Sequence, residues 1–275
     1  MPVQRSRLRS SIRSFLYAPS VKNLLLKIPV VRSVYPAVER PHPIDRSYGI
    51  NTSGFVGVDE ISSDASIRPM IVFYAGSQPS IVRTAIAALG NVEEYTFVDL
   101  GCGKGRVTTV ASEFPFREVV GVELSTELAD IAKENSARVA KRYPTRTQVS
   151  IIAGNVVDVP LPPGKLAYFN YHSFGPEIVA QMVSKFESGL EAGTPHLFFI
   201  YYNPVHGDLL DSSPAFERFY AAKLRYDSSE RGFGPDADDT VVIWQSSRGA
   251  VARSCESADR TIIITKPSIR AELAD

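Results

Sequence analysis

The sequence predicts an α/β protein with a mostly parallel sheet and helices on both faces. Apolar runs of strand length recur at Tyr95–Leu100, Val119–Val122 and Val149–Ala153, and such uninterrupted runs suit strands buried on both sides. Between them, apolar residues fall at helical spacing. The chain has 275 residues of which 44% are hydrophobic, enough for one large domain with a substantial core.

Pro79 and Gly90 bracket a first helix carrying Ile81, Val82, Ala85, Ile86 and Leu89. The strand Tyr95–Leu100 then runs into Gly101-Cys102-Gly103-Lys104-Gly105-Arg106, and Val107, Val110, Ala111 and Phe114 mark one face of a helix that starts at once. The strand Val119–Val122 ends in Glu123-Leu124. Ser125 reads as an N-cap, with Leu128, Ile131, Ala132 and Val139 on the apolar face of the next helix. The strand Val149–Ala153 leads to Gly154-Asn155-Val156. A fourth strand, Lys165–Phe169, precedes Asn170-Tyr171-His172-Ser173-Phe174-Gly175-Pro176-Glu177. Pro176 and Glu177 suit a helix first turn, continued by Ile178, Val179, Met182, Val183 and Phe186. Leu197–Tyr202 reads as a fifth strand. Thr240–Trp244 reads as a late strand, paired with Lys223–Tyr226 across a loop rich in Gly, Pro and Asp.

The glycine turn is the chemically specific feature. A strand, a tight turn and a helix N-terminus make a site for a polar ligand at the carboxyl end of a parallel sheet. A phosphate-cradling loop needs G-x-x-x-x-G-K-[ST], whereas Lys104 here lies between glycines and the hydroxyl position is missing. A dinucleotide turn needs a third glycine where this chain has Arg106. The observed pattern is G-x-G-x-G, preceded by Asp99 two positions earlier and followed by Glu123, 24 residues after Asp99. A plain βα turn and a solvated helix-start charge are the ordinary alternatives for these two features.

This arrangement resembles the class I S-adenosylmethionine-dependent methyltransferases. The resemblance implies a Rossmann-like, mostly parallel seven-stranded sheet with helices on both faces and an antiparallel last strand. It implies S-adenosyl-L-methionine as cofactor. Gly101, Cys102, Gly103 and Gly105 would bring backbone close to its methionine part. Asp99 would answer the ammonium group, and Glu123, with Leu124 beside it, the ribose hydroxyls. Methyltransferases of this class often carry an acidic residue after the third strand. This chain has Asn155, followed by Val156; the Asn155 amide oxygen can accept from the adenine amino group, with Asp158 as the fallback.

Within that class the chain also resembles the disruptor-of-telomeric-silencing histone-lysine methyltransferases. The match comprises Val98–Gly105, Gly121–Glu123, and Asn170 with Phe174–Glu177. It implies Asn170 near the methyl donor and Phe174 in the wall of a narrow lysine channel, while His172 and Ser173 depart from that family's apolar pair. The reaction implied is in-line displacement onto a lone pair, in which the protein supplies alignment and dry surroundings. His172 is placed to act as a base, or merely to hydrogen-bond its loop. Tyr171, Tyr201, Tyr202 and Asn203 are further candidates for the pocket wall. The methyl acceptor is a protein side chain or a small molecule. A function of another class remains open: a non-catalytic cofactor-binding protein, or an interaction protein tethered to a membrane or nucleic acid.

The organisation expected is a basic N-terminal arm with an amphipathic helix over residues 1–45, a lid and leading helix over 46–94, the methyltransferase core over 95–245, and a tail over 246–275. Zero formal net charge hides a polarised chain. Residues 1–32 hold seven of the 30 basic residues and none of the 30 acidic ones. This segment reads as an anionic-membrane or nucleic-acid contact, as a mitochondrial transit peptide if the source is eukaryotic, or as a helix solvated against an acidic body. It lacks the apolar core of a secretory signal. Asp45–Gly54, with Tyr74–Ser77, reads as a lid or an ordinary linker. The tail carries an apolar run, Thr261–Thr265. Cys102 and Cys255 form no metal or disulfide pattern, which suits a reducing compartment such as the cytoplasm. His42, His172, His196 and His206 are scattered, and no apolar run reaches membrane-spanning length.

Overall fold

The computed structural model describes residues 41–231, 233 and 240–251. The basic segment 1–32, the run Thr261–Thr265, Cys255 and much of the loop before Thr240 lie outside the described residues.

Seven strands form one sheet: β1 (Tyr95–Leu100), β2 (Glu118–Glu123), β3 (Val149–Ala153), β4 (Lys165–Tyr171), β5 (Leu197–Tyr202), β6 (Phe216–Lys223) and β7 (Thr240–Ser246). Their order is β3-β2-β1-β4-β5-β7-β6. The pairs among β1 to β5 are parallel, and β7 is antiparallel to both of its neighbours. The expected Rossmann-like sheet with an antiparallel last strand is therefore the one observed. From β1 the order runs outward to β2 and β3 on one side and to β4 and β5 on the other. That reversal opens a crevice beyond the carboxyl ends of β1 and β4.

Side-chain alternation along the strands assigns the two faces. On one, Tyr95 and Phe97 of β1 and Phe169 of β4 pack with Ile81, Val82 and Ile86 of α1 (Pro79–Ala87) and with Val107 and Val110 of α2 (Arg106–Ala111). On the other, Val98, Tyr168, Phe199 and Trp244 pack with Ile178, Met182 and Phe186 of α4 (Pro176–Glu191). Helix α3 (Thr126–Arg142) is capped by Ser125, whose hydroxyl accepts from Leu128 N–H at 3.4 Å. The alternation also decides where two polar residues go: Asp99 shares the face of Phe97, and Asn170 shares the face of Tyr168.

Four boundaries differ from the sequence expectation. Strand β4 continues through Asn170 and Tyr171, because Asn170 pairs with Leu100 on one side and Tyr201 on the other. Strand β7 continues to Ser246. The partner of β7 is not Lys223–Tyr226 but Phe216–Lys223. An irregularity between Arg218 and Tyr220 breaks the two-residue alternation there and hides the strand from a periodicity reading. The helix Pro43–Tyr48 crosses the expected boundary at residue 45, since Ile44 and Asp45 are buried.

Gly121 sits opposite Asp99 in the β1–β2 ladder. A Cβ there would lie 2.8 Å from Cys102 Sγ, 2.8 Å from Ile151 Cδ1 and 3.0 Å from Thr108 Cγ2. Alanine ordinarily stabilises a strand interior relative to glycine, but overpacking costs about 1–3 kcal/mol and outweighs that gain. Gly121→Ala should therefore lower the free energy of unfolding in denaturant titration.

Candidate active site

A cavity of about 260 Å³ lies at the carboxyl ends of β1, β2 and β4. Its floor is the expected set in part: Asp99, Gly101 and Cys102 from the glycine turn, Glu123 and Leu124 after β2, and Asn155 and Val156 after β3. Its roof is the upstream segment, including Ile67, Met70–Ala75 and Ser77. Phe174 and Ile178 close one side.

Glu123 is held by two backbone donors. Gly103 N–H donates to Oε2 at 2.8 Å and Ser125 N–H to Oε1 at 2.9 Å. The carboxylate is buried, and burial raises its pKa against the pull of these donors. Each oxygen keeps a lone pair for a ligand hydroxyl. Asp99 is different. It is 2% exposed, and its Oδ2 has no hydrogen-bond partner among the described residues. Burial, and then the charge of Glu123, hold its pKa well above the usual carboxylate range. An unpartnered buried carboxyl oxygen on the wall of a cavity is the feature an ammonium group would satisfy.

The glycines divide by role. Gly101 lines the cavity, whereas Gly103 and Gly105 do not. Gly103 has φ +53°, and a Cβ on it would stand 2.1 Å from Tyr74 Cε2. Its missing side chain makes room for a roof residue rather than for a ligand. Gly105 is the N-cap of α2 at φ +80°. Cys102 is buried, and desolvation pushes its thiol pKa up, so it is an inert wall. The Asn155 Oδ1 atom accepts from Val157 N–H at 3.3 Å, which closes its own loop. Asp158 is exposed and away from the cavity.

The fourth-motif residues separate. Phe174 lines the cavity, but Asn170 does not. The Asn170 side chain is 1% exposed on the α4 face, with Oδ1 accepting from Ser173 N–H at 3.1 Å and Nδ2 without a partner. His172 stands at φ +39° and lines a second, smaller cavity of about 30 Å³, with Tyr171, Asn203, Val72, Phe73 and Ala75. Tyr171, Val72, Phe73 and Ala75 wall both cavities. Asn203 is likewise left-handed, at φ +51°. Burial, aided by His206, lowers the His172 pKa to about 4, so its imidazole is neutral. Tyr201 and Tyr202 reach neither cavity.

The lid segments divide as well. Tyr74–Ser77 line the cavity, and Asp45–Gly54 stand behind them. Tyr74 Oη donates to Thr52 O at 2.7 Å, and Lys104 Nζ to Ser53 O at 2.7 Å. Val72 N–H donates to Ser173 O at 3.0 Å and Gly175 N–H to Met70 O at 2.8 Å, so the roof is stitched to the loop after β4. Sequence reasoning missed the part of the roof formed by Ile67 and Met70–Phe73, whose apolar residues have no motif, and it missed Arg106. Arg106 lines the cavity at 3% exposure; a charged residue just after the last glycine was the available signal. Among the described residues there is no cluster able to hold a metal ion and no helix long and apolar enough to cross a membrane.

Residues 98–171 match the family model described as a methyltransferase domain. Among solved structures the chain is similar to the 23S rRNA methyltransferase ErmE, at 17% identity over 66% of this chain and 72% of that one, with a TM-score of 0.44. It is similar to the ribosomal protein L11 methylase from Lactobacillus delbrueckii subsp. bulgaricus, at 16% identity over 61% and 77%, TM-score 0.40. It is also similar to the magnesium protoporphyrin IX methyltransferase from Synechocystis PCC 6803 with bound SAH, at 12% identity over 62% and 81%, TM-score 0.43. No curated protein matches the chain. Residues 98–171 thus carry a methyltransferase domain, and S-adenosylmethionine is its cofactor.

Proposed function

We propose that the enzyme methylates a slim acceptor, a lysine-like amine of a protein side chain or of a small molecule, which enters through the smaller cavity. The observation that carries this reading is the 30 Å³ cavity sharing Val72, Phe73, Ala75 and Tyr171 with the cofactor cavity. The opening is narrow and walled by these side chains, which suits a group carried on a thin stem. The protein-side-chain form of the reading also draws on the resemblance at Asn170 and Phe174–Glu177.

When bound, S-adenosylmethionine supplies a methyl group on a positively charged sulfur, open to in-line displacement. The residues of this chain do the rest. Asp99 holds the ammonium group of the donor, Glu123 its ribose, and Asn155 with Val156 the adenine end. Phe174, Phe73 and Tyr171 exclude water, which favours the neutral amine over an ammonium whose unperturbed pKa is about 10.4. His172, neutral and with its Nδ1 unpartnered, accepts a hydrogen bond from the amine and aligns it. With so low a pKa it does not pull the proton off ahead of transfer, which departs from the base role considered from sequence. Asn170 fixes the turn after β4 through Ser173 rather than touching the methyl group.

Transfer from methyl-labelled S-adenosylmethionine into a fractionated lysate tests the acceptor. The expected result is label in protein, recovered as methyl-lysine after hydrolysis, or in a small amine; label in nucleic acid would reject the slim-acceptor reading. For His172, rates between pH 5.5 and 9 should show no inflection from its imidazole, which is deprotonated throughout that range. His172→Leu should lose about 2–10-fold in turnover, the worth of one hydrogen bond, and His172→Asn less.

Asp99 yields a prediction of two opposite signs. Its folded-state pKa is raised, so the stability it contributes is full below its unfolded pKa and is lost as pH rises through the raised value. Asp99→Asn should therefore raise the melting temperature of the ligand-free protein at neutral pH. The same change should weaken S-adenosylmethionine binding by about 30-fold or more, the effect of breaking a buried charged pair. Thermal scans with and without the cofactor read both.

A further inference from the structure

The cofactor cavity holds a second unbalanced charge, and it is positive. Arg106 is 3% exposed, yet no carboxylate of the described residues lies within ion-pair distance of its guanidinium. Its partners are neutral. Nε donates to Thr52 Oγ1 at 2.8 Å, Nη2 to Thr52 O at 2.8 Å and to Ser53 Oγ at 3.5 Å, and Nη1 to Ser77 O at 3.2 Å. A guanidinium has five N–H donors, so one on Nη1 is left over. The nearest acid, Asp45, is one hydroxyl removed: Thr52 Oγ1 and Ser53 Oγ both donate to it. Gly76 lies directly over the guanidinium, where a Cβ would be 2.3 Å from Arg106 Cζ. Both residues line the cavity.

Burying a lone cation is costly unless a counter-charge arrives. Asp99, in the same cavity, presents the opposite want. A ligand end that carries one ammonium and one carboxylate would satisfy both at once. Building on the S-adenosylmethionine reading of the site, we infer that Arg106 is the carboxylate anchor for the amino-acid end of the methyl donor. Through the same guanidinium it ties that carboxylate to the upstream strap at Thr52 and Ser53. The enzyme thereby selects donors with an intact amino-acid group, and filling the site tightens the strap over the glycine turn.

The test compares two ligands on the intact protein by calorimetry. One is S-adenosylmethionine. The other is its decarboxylated analogue, which keeps the ammonium and lacks the carboxylate. The wild type should prefer the first by about 30-fold or more. Arg106→Gln should abolish that preference by losing affinity for the first ligand alone, and Arg106→Lys should keep part of it. Amide hydrogen exchange at residues 50–54 should slow with S-adenosylmethionine and change little with the analogue. Equal affinity of the wild type for both ligands would overturn the assignment without any reliance on a variant, and so would an equal loss of both in a folded Arg106→Gln protein. If the wild type bound the analogue and not S-adenosylmethionine, the anchor would be wrong while the ammonium site stood. Binding of neither would remove the cofactor reading and the anchor together.

Discussion

The hydrogen bond from Gly103 N–H to Glu123 Oε2, 2.8 Å long, is the constraint from which the rest of the site follows. It joins the turn after β1 to the end of β2, adjacent strands that carry the floor of the cavity. The chain turns through left-handed backbone at Gly101, Gly103 and Gly105, which glycine adopts without steric cost, and the first of these turns lies just upstream of the Gly103 amide. The second oxygen of Glu123 receives Ser125 N–H just before α3 begins, so one side chain fixes the turn and the start of the next helix. Any ribose contact made by Glu123 is made by an oxygen whose position is already set by backbone.

Order of that kind leaves charge unbalanced. Glu123 has donors, but the neighbouring Asp99 has an oxygen with none, and Arg106 has only neutral acceptors. The fold could have spread these charges to solvent and does not. Their energetic cost to the ligand-free protein is the same quantity that favours a charged ligand, since the ligand removes the cost on arrival. On the reading proposed above, the unpartnered Asp99 oxygen and the neutral surroundings of Arg106 are what a zwitterionic group would complete.

How far the sequence disclosed this depends on the range of the interactions. The βα alternation, the Ser125 cap and the roles of the turn are local, and Tyr95–Leu100, Glu123 and Pro176–Glu191 were legible as strand, strand end and helix. Strand β6 was not, because its irregularity at Arg218–Tyr220 removes the alternation that marks a strand. Asn170 was legible as part of a motif, but its direction was not. Adding Asn170 and Tyr171 to β4 sets the alternation, and that places the amide on the α4 face, where Ser173 N–H donates to its oxygen. Arg106 is legible only as a deviation from a glycine, since its partners Thr52 and Ser77 are more than two dozen residues upstream.

The roof explains why the donor and acceptor sides belong to one device. Val72, Phe73 and Ala75 wall both cavities, and the same short segment is bonded to the loop after β4 through Val72–Ser173 and Met70–Gly175. Tyr74, between them, fits against Gly103 and donates to Thr52. A shift of these shared residues over the first cavity is felt in the second, because close-packed interiors transmit strain. In the proposed reading, seating the donor on the glycine turn shapes the acceptor opening, and the same walls keep water from the methyl group. On that reading, one strip of chain, Met70–Ser77, serves both specificity and dryness.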